Sequence, residues 1–212
     1  MTTLTPAHPG GAADVATFAQ RVARFEPEAV TRIVAHGQVA GCFAETPFDA
    51  LALRTVALAE PVEIDVVLEA ATLAARAVGV GGELELPPAL PALRWTSSLP
   101  PRSGWSELGR LALADVVARV DNGVEEFRRR APDEASGRDL RAGRAALEGL
   151  AAQIWDVEMA HGVPLRLAHA ASSYGFLGGQ GEVVLRSVGS WQRLDAPNGT
   201  VLARGGLALF AL

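Results

Sequence analysis

Glu158 and His161 stand at Glu-x-x-His spacing, the interval at which one helical turn sets a carboxylate beside an imidazole, as iron and manganese bundles require. Such a bundle needs the motif twice and two further glutamates, and the chain holds no second Glu-x-x-His and no His-Glu-x-x-His. Glu158 therefore reads as solvated and His161 as a group at a helix C-terminus, where the dipole favours its charge; no metal and no cofactor is expected. Ser172 and Ser173 fall in a predicted helix, not on the strained turn of a Gly-x-Ser-x-Gly elbow, which is absent. A triad drawn from distant residues would be recognised by geometry alone, and no catalytic residue is assigned. Glycine pairs at 81–82 and 178–179 resemble parts of phosphate-binding loops, but neither completes Gly-x-Gly-x-x-Gly, and caps and hairpins use glycine for the same conformational freedom.

All 19 basic side chains are arginine; the 212 residues contain no lysine. That absence closes the phosphate-loop ATPases, Schiff-base and pyridoxal enzymes, protein kinases and Ser-x-x-Lys acyl enzymes, each of which needs an amine that guanidinium cannot replace. Cys42 is the only cysteine, so the chain has no internal disulfide, no paired-thiol motif and no cysteine-built zinc site, in keeping with a reducing compartment.

The sharpest ligand hypothesis lies in the segment PPALPALRWTSSLPPRSGW, residues 87–105. Arg94, Trp95, Arg102 and Trp105 flank its proline-rich bend, and guanidinium planes beside indoles can stack or clamp an anionic ligand. The alternative is that both tryptophans cover the core while the arginines stay on the surface. Glu125 and Glu126 ahead of Arg128, Arg129 and Arg130 read as a solvated helix face with local ion pairs.

These residues must be held by elements that the apolar pattern lays out. Residues 1–13 offer nothing to bury and predict a disordered leader. Val15, Phe18, Val22 and Phe25 recur at helical spacing up to Pro27. Segments 30–35, 38–45 and 50–58, split by His36-Gly37 and by Thr46-Pro47-Phe48-Asp49, predict an antiparallel meander, the alternative being that the first two continue the helix. Pro61 and the run from Val62 predict a helix to Val78, stopped by Gly79, and 83–86 a short strand. In the second half Leu113, Val116, Val117, Val120, Val124 and Phe127 predict a helix ending near Ala131-Pro132, and 138–161 predicts the strongest helix of the chain. A short helix over 164–174, capped by Gly175, precedes strands at 182–188, 191–195 and 200–204, the last two joined by an Asn-Gly turn. Residues 207–212 could add a terminal strand.

The order helix, helix, short helix, glycine-rich loop, hairpin predicts a winged-helix-like portion over 106–212 after an N-terminal α+β portion over 14–105, either as two portions or as one continuous domain. A DNA reader of that kind would present Arg166, His169, Ser172, Ser173 and Tyr174 from its third helix, with Arg186, Arg193 and Arg204 on the wing. Net charge is −5, with 18 acids against 12 arginines in the first 137 residues and 6 against 7 in the rest, which argues against a nucleic-acid partner. The chain shows no apolar run near the ~20 residues of a membrane helix and no secretory leader, so a cytoplasmic location and no membrane partner are expected.

The arginine-only basic set, the GQVAGCFAETPFDALALRTVA segment and the YGFLGG loop before the C-terminal hairpin resemble an uncharacterised protein family of high-GC actinobacteria of similar length. The resemblance implies no activity. The expected function is a non-catalytic interaction or regulatory module that meets a protein partner or a second copy of itself, the apolar ending GGLALFAL suggesting the latter. A small-molecule binder or enzyme with its pocket near residues 87–105 is the alternative, and a weak DNA-binding winged helix the third reading.

Overall fold

A computed structural model describes residues 2–136 and 140–205, and the chain divides into two units, Met1–Pro101 and Arg102–Leu212. In the first, helix α1 (Gly11–Phe25) opens after Gly10, whose positive φ of 92° suits glycine, and closes before the extended Glu26. Its Val15, Phe18, Ala19 and Val22 form one buried stripe. Three strands follow, β2 (Val30–His36), β3 (Val39–Glu45) and β4 (Leu51–Ala57), joined as antiparallel neighbours. Alternation fixes their two faces. Thr31, Ile33 and Ala35 pair across with Ala44, Cys42 and Ala40 and are all buried, and Arg54, on the same face, reaches Asp14 of α1. Arg32, Phe43 and Leu53 occupy the opposite face.

Two expectations for this unit are corrected. The N-terminal residues are not a disordered leader: Thr2–Leu4 form strand β1, which pairs antiparallel with β6 (Leu84–Leu86) and buries Leu4. The helix expected from Val62 to Val78 starts as strand β5 (Ile64–Glu69) and becomes helix α2 (Ala70–Arg76) only where alanine takes over. Ile64, Val66 and Leu68 alternate with Asp65 and Glu69 at period two, and β-branched side chains favour the pleated conformation. β5 pairs with β2 and ends the four-stranded order β5-β2-β3-β4.

The second unit begins with β7 (Ser106–Ala112), which runs straight into α3 (Leu113–Ala135). Leu113, Val116 and Val120 are buried on α3, and Pro132, expected near its end, lies inside its last turn. Helix α4 spans Leu140–Trp155, shorter than expected, because 158–161 belongs to a small hairpin of β8 (Glu158–Ala160) and β9 (Val163–Pro164). His161, at φ 51°, turns that hairpin, so Glu158 and His161 share no helix face. Helix α5 (Leu165–Ser173) then leads to β10 (Glu182–Val188), β11 (Trp191–Ala196) and β12 (Gly199–Arg204).

The winged-helix expectation is overturned here. β7 pairs with β10, so the hairpin taken as a wing is part of a four-stranded antiparallel order β12-β11-β10-β7. The would-be reading helix α5 is packed in, with Leu165, Leu167, Ala168, Ala170 and Ala171 all buried, which leaves too little surface to enter a groove. Tyr174, expected on its contact face, is buried, and that burial pushes its hydroxyl up to about 12. The segment 207–212, expected as a strand, lies outside the described residues.

Candidate binding surfaces

Residues 87–97 wrap the free edge of β5. Leu90 donates its backbone N–H to the Val67 carbonyl at 2.8 Å, and a 3₁₀ turn at Ala92–Arg94 follows. The Glu45 carboxylate holds the far end, accepting from Thr96 Oγ1 at 2.9 Å, Thr96 N at 3.2 Å and Ser97 N at 2.8 Å. Burial alone would raise the Glu45 carboxyl, but the Ser97 and Thr96 hydrogen bonds outweigh it and hold the group below its ordinary value. Pro87, Pro88 and Pro91 suit this strap, since each removes a backbone N–H that a further strand would need and so discourages propagation of the sheet beyond its edge.

The strap fixes where the predicted ligand residues go. Trp95 is 7% exposed, and its Nε1 donates to the Ser97 carbonyl at 2.6 Å. Arg94 is exposed, its Nη2 donating to the Glu28 carbonyl at 3.4 Å. Arg102 and Trp105 belong to the second unit; Arg102 is exposed, whereas Trp105 is half-buried with the Arg193 guanidinium over its ring at 5.4 Å. Within each pair, one aromatic is covered by its own chain and one arginine faces solvent.

The helix-side face of the first sheet, the face of Thr31, Ile33 and Ala35, carries a cavity that no motif announced. It measures about 350 Å³ and is walled by Ile64, Val66 and Leu68 of β5, Leu86 of β6 and residues 87–89, with Arg76 and Thr2 supplying the polar atoms. Period-two alternation over 64–68 was the signal for it, masked by the helical run of alanines that follows.

In the second unit, the sheet face away from Leu185 and Leu194 is a lattice of opposite charges. Asp195 accepts from Arg193 Nε at 2.8 Å and Thr200 Oγ1 at 2.7 Å and pairs with Arg186. Glu107 bridges Arg110 at 2.8 Å and Arg186 at 3.8 Å. On α3, Glu126 pairs with Arg129 and Arg130, as a solvated face should. Cys42 is buried, and burial pushes its thiol up to about 12 against a smaller opposing effect of Thr31, so it stays protonated and unreactive. Among the described residues no three His, Cys, Asp or Glu side chains gather as a metal site, and no helix is long and apolar enough to cross a membrane.

The class of fold this defines is that of bacterial DNA polymerase sliding clamps. The chain is similar to the DNA polymerase III subunit beta from Pseudomonas aeruginosa, with 12% identity, TM-score 0.54, 94% of this chain and 64% of that one covered. It is similar in the same degree to a DnaN sliding clamp from Bartonella birtlesii bound to griselimycin, with 12% identity, TM-score 0.54, and coverage of 99% and 66%. A ligand-bound clamp from Pseudomonas aeruginosa gives TM-score 0.51 at 12% identity, with 99% and 66% covered. The chain thus spans slightly under two thirds of the length of these proteins, and at such identity the likeness establishes fold and nothing more. The chain belongs to the family described as Domain of unknown function (DUF8185), which matches residues 100–208. Residues 1–97 match a second family, Domain of unknown function (DUF8010). No curated protein matches the sequence.

Proposed function

We propose that the chain is a clamp-fold interaction module that works in association with DNA, holding a protein partner or a second copy of itself rather than performing a reaction. The observation that carries this reading is the likeness to DNA polymerase clamps over 94% of the chain. The argument from net charge against nucleic acid loses its force beside it, because a net charge says little about where single arginines stand. Arg24 on α1 and Arg128 on α3 are exposed and form no ion pair among the described residues, whereas Arg110, Arg186 and Arg193 of the second sheet are paired with Asp195, Glu107 and Glu182, and Arg204 of β12 is exposed with Ser190 as its hydrogen-bond partner. DNA contact is therefore assigned to Arg24 and Arg128 and not to the paired arginines of the sheet.

Fluorescence anisotropy with duplex and primed DNA tests the reading. Binding at low salt should weaken as salt rises, and Arg24→Glu with Arg128→Glu should reduce it. Light scattering on the same protein reads self-association. A monomer that binds no DNA at low salt would overturn the proposal.

A second reading, a small-molecule binder with its pocket near residues 87–105, is favoured by one observation: residues 87–89 wall the cavity beside β5. Arg94, exposed, is the group an anion would meet on the strap itself.

A further inference from the structure

We propose that the cavity beside β5 binds a small apolar carboxylate, a medium-chain fatty acid by chemical class, with its carboxylate on Arg76 and its chain along Ile64, Val66 and Leu68. This deepens the second reading above and is independent of DNA association.

The wall decides the chemistry. Its side chains are aliphatic or proline apart from Arg76 and Thr2, and no acidic residue lines it. Strand alternation is the cause: Asp65 and Glu69 point to the other face, where Asp65 is held by Arg32 at 2.7 Å, and Glu69 pairs with Thr72. Arg76 is left with no ion-pair partner among the described residues, although its guanidinium presents a planar fork that fits a carboxylate with two parallel hydrogen bonds. An apolar surface next to one unmatched cation fits an amphiphile with a single negative end. A polyanion would leave charges against aliphatic walls, and a neutral hydrocarbon would leave the guanidinium unused.

Size sets the length of the chain. A volume of about 350 Å³ lies at the small end of ligand pockets and, at ~30 Å³ for each water-sized group, holds roughly twelve such groups. Decanoate has that many non-hydrogen atoms. Residues 87–89, the start of the strap, form one wall, so the ligand would lie against a segment whose hold on the sheet is already known from Leu90 and Glu45.

Calorimetric titration of the full chain with decanoate, below its micellar concentration, tests the proposal. Saturable one-site binding is expected, with decanol bound more weakly. Arg76→Gln should weaken decanoate by about tenfold or more while leaving decanol unchanged. Ala89→Trp, at an exposed wall position, should abolish binding of both while the circular dichroism spectrum and melting temperature hold. Three results would overturn the proposal: no saturable decanoate binding, an Arg76→Gln protein that binds decanoate as before, or a short apolar peptide such as Ala-Leu-Leu binding in preference to decanoate. The DNA measurements above are unaffected by either outcome, so the two readings fail separately.

Discussion

The two units use the same device and finish it differently. In each, a strand ending one side of a four-stranded antiparallel order runs without a loop into a helix, β5 into α2 and β7 into α3. The face turned away from the helices is where they part. In the first unit that face presents Val67, Leu53 and Phe43, with Val67 and Leu53 buried, and a strap of the same chain closes over its edge. In the second it presents Arg110, Arg186, Arg193, Asp195 and Glu107, which pair with one another, beside Thr200 and Leu202 of β12, which are buried. An apolar outer face needs chain to shield it; a face of paired charges needs none.

The largest way to probe this contrast is through the cores, where the units should behave alike. Phe18 is 2% exposed, and Phe18→Ala should destabilise the first unit by about 3–5 kcal/mol, read by denaturant unfolding. Leu185, fully buried in the second, should lose about 2–5 kcal/mol as Leu185→Ala. Hydrogen exchange should localise each loss to its own sheet, and an even spread across both would break the comparison.

Close packing separates the units next. A Cβ at Gly199 would stand 2.5 Å from Phe176 ring carbons, whereas one at Gly37, with φ +59°, would meet nothing within 4 Å. Gly199→Ala is thus an overpacking change, expected to cost about 1–3 kcal/mol. Gly37→Ala strains only the turn, at about 1 kcal/mol. Thermal melts of the two variants should rank in that order.

How much of this was legible follows from which forces act locally. The stripe of α1 and the strands β2, β3 and β4 form where Val15, Phe18, Ile33 and Leu51 placed them, because short-range periodicity decides such elements. The Asn198-Gly199 turn is of the same kind. The stretch 64–76 hides its strand because two periods overlap in it: Ile64, Val66 and Leu68 alternate, then alanines permit a helix, and only pairing with β2 reveals the switch. β7 is silent in the sequence for a related reason. Its Ser106–Ala112 residues are exposed or half-exposed, so no apolar rhythm marks a strand whose partner, β10, lies seventy or more residues away. Missing it turned a four-stranded order into an isolated wing. The cavity escaped notice because its arginine and its apolar wall come from different elements.

The charged residues carry the smaller effects. Asp195 is 18% exposed and takes three partners, Arg186, Arg193 and Thr200, so Asp195→Ala should cost about 1–3 kcal/mol by leaving Arg193 unmatched and Arg186 with Glu107 alone. Glu45 should show itself through pH. Its carboxyl lies below the ordinary value in the folded protein, so its contribution is complete above the unfolded glutamate range, near ~4.3, and is lost as pH falls through the depressed folded value. Glu45→Gln should flatten that acid limb, read as Trp95 exposure in fluorescence quenching; an unchanged limb would mean the strap holds without its carboxylate.

Asp65 offers the finest test. Its two oxygens take Arg32 Nε and Nη2 at 2.7 Å each, and that guanidinium holds the carboxyl below its usual range against a lesser effect of burial. Geometry of this quality would suggest a strong pair, yet half of the Asp65 side chain is in water, where solvent and salt screen the attraction. Asp65→Ala should therefore cost no more than ~1 kcal/mol, and the cost should shrink in high salt, whereas that of Asp195→Ala should persist. If the two losses came out equal, exposure would not be what separates the charges of the first sheet from those of the second, and the contrast between a covered face and a self-satisfied one would need another cause.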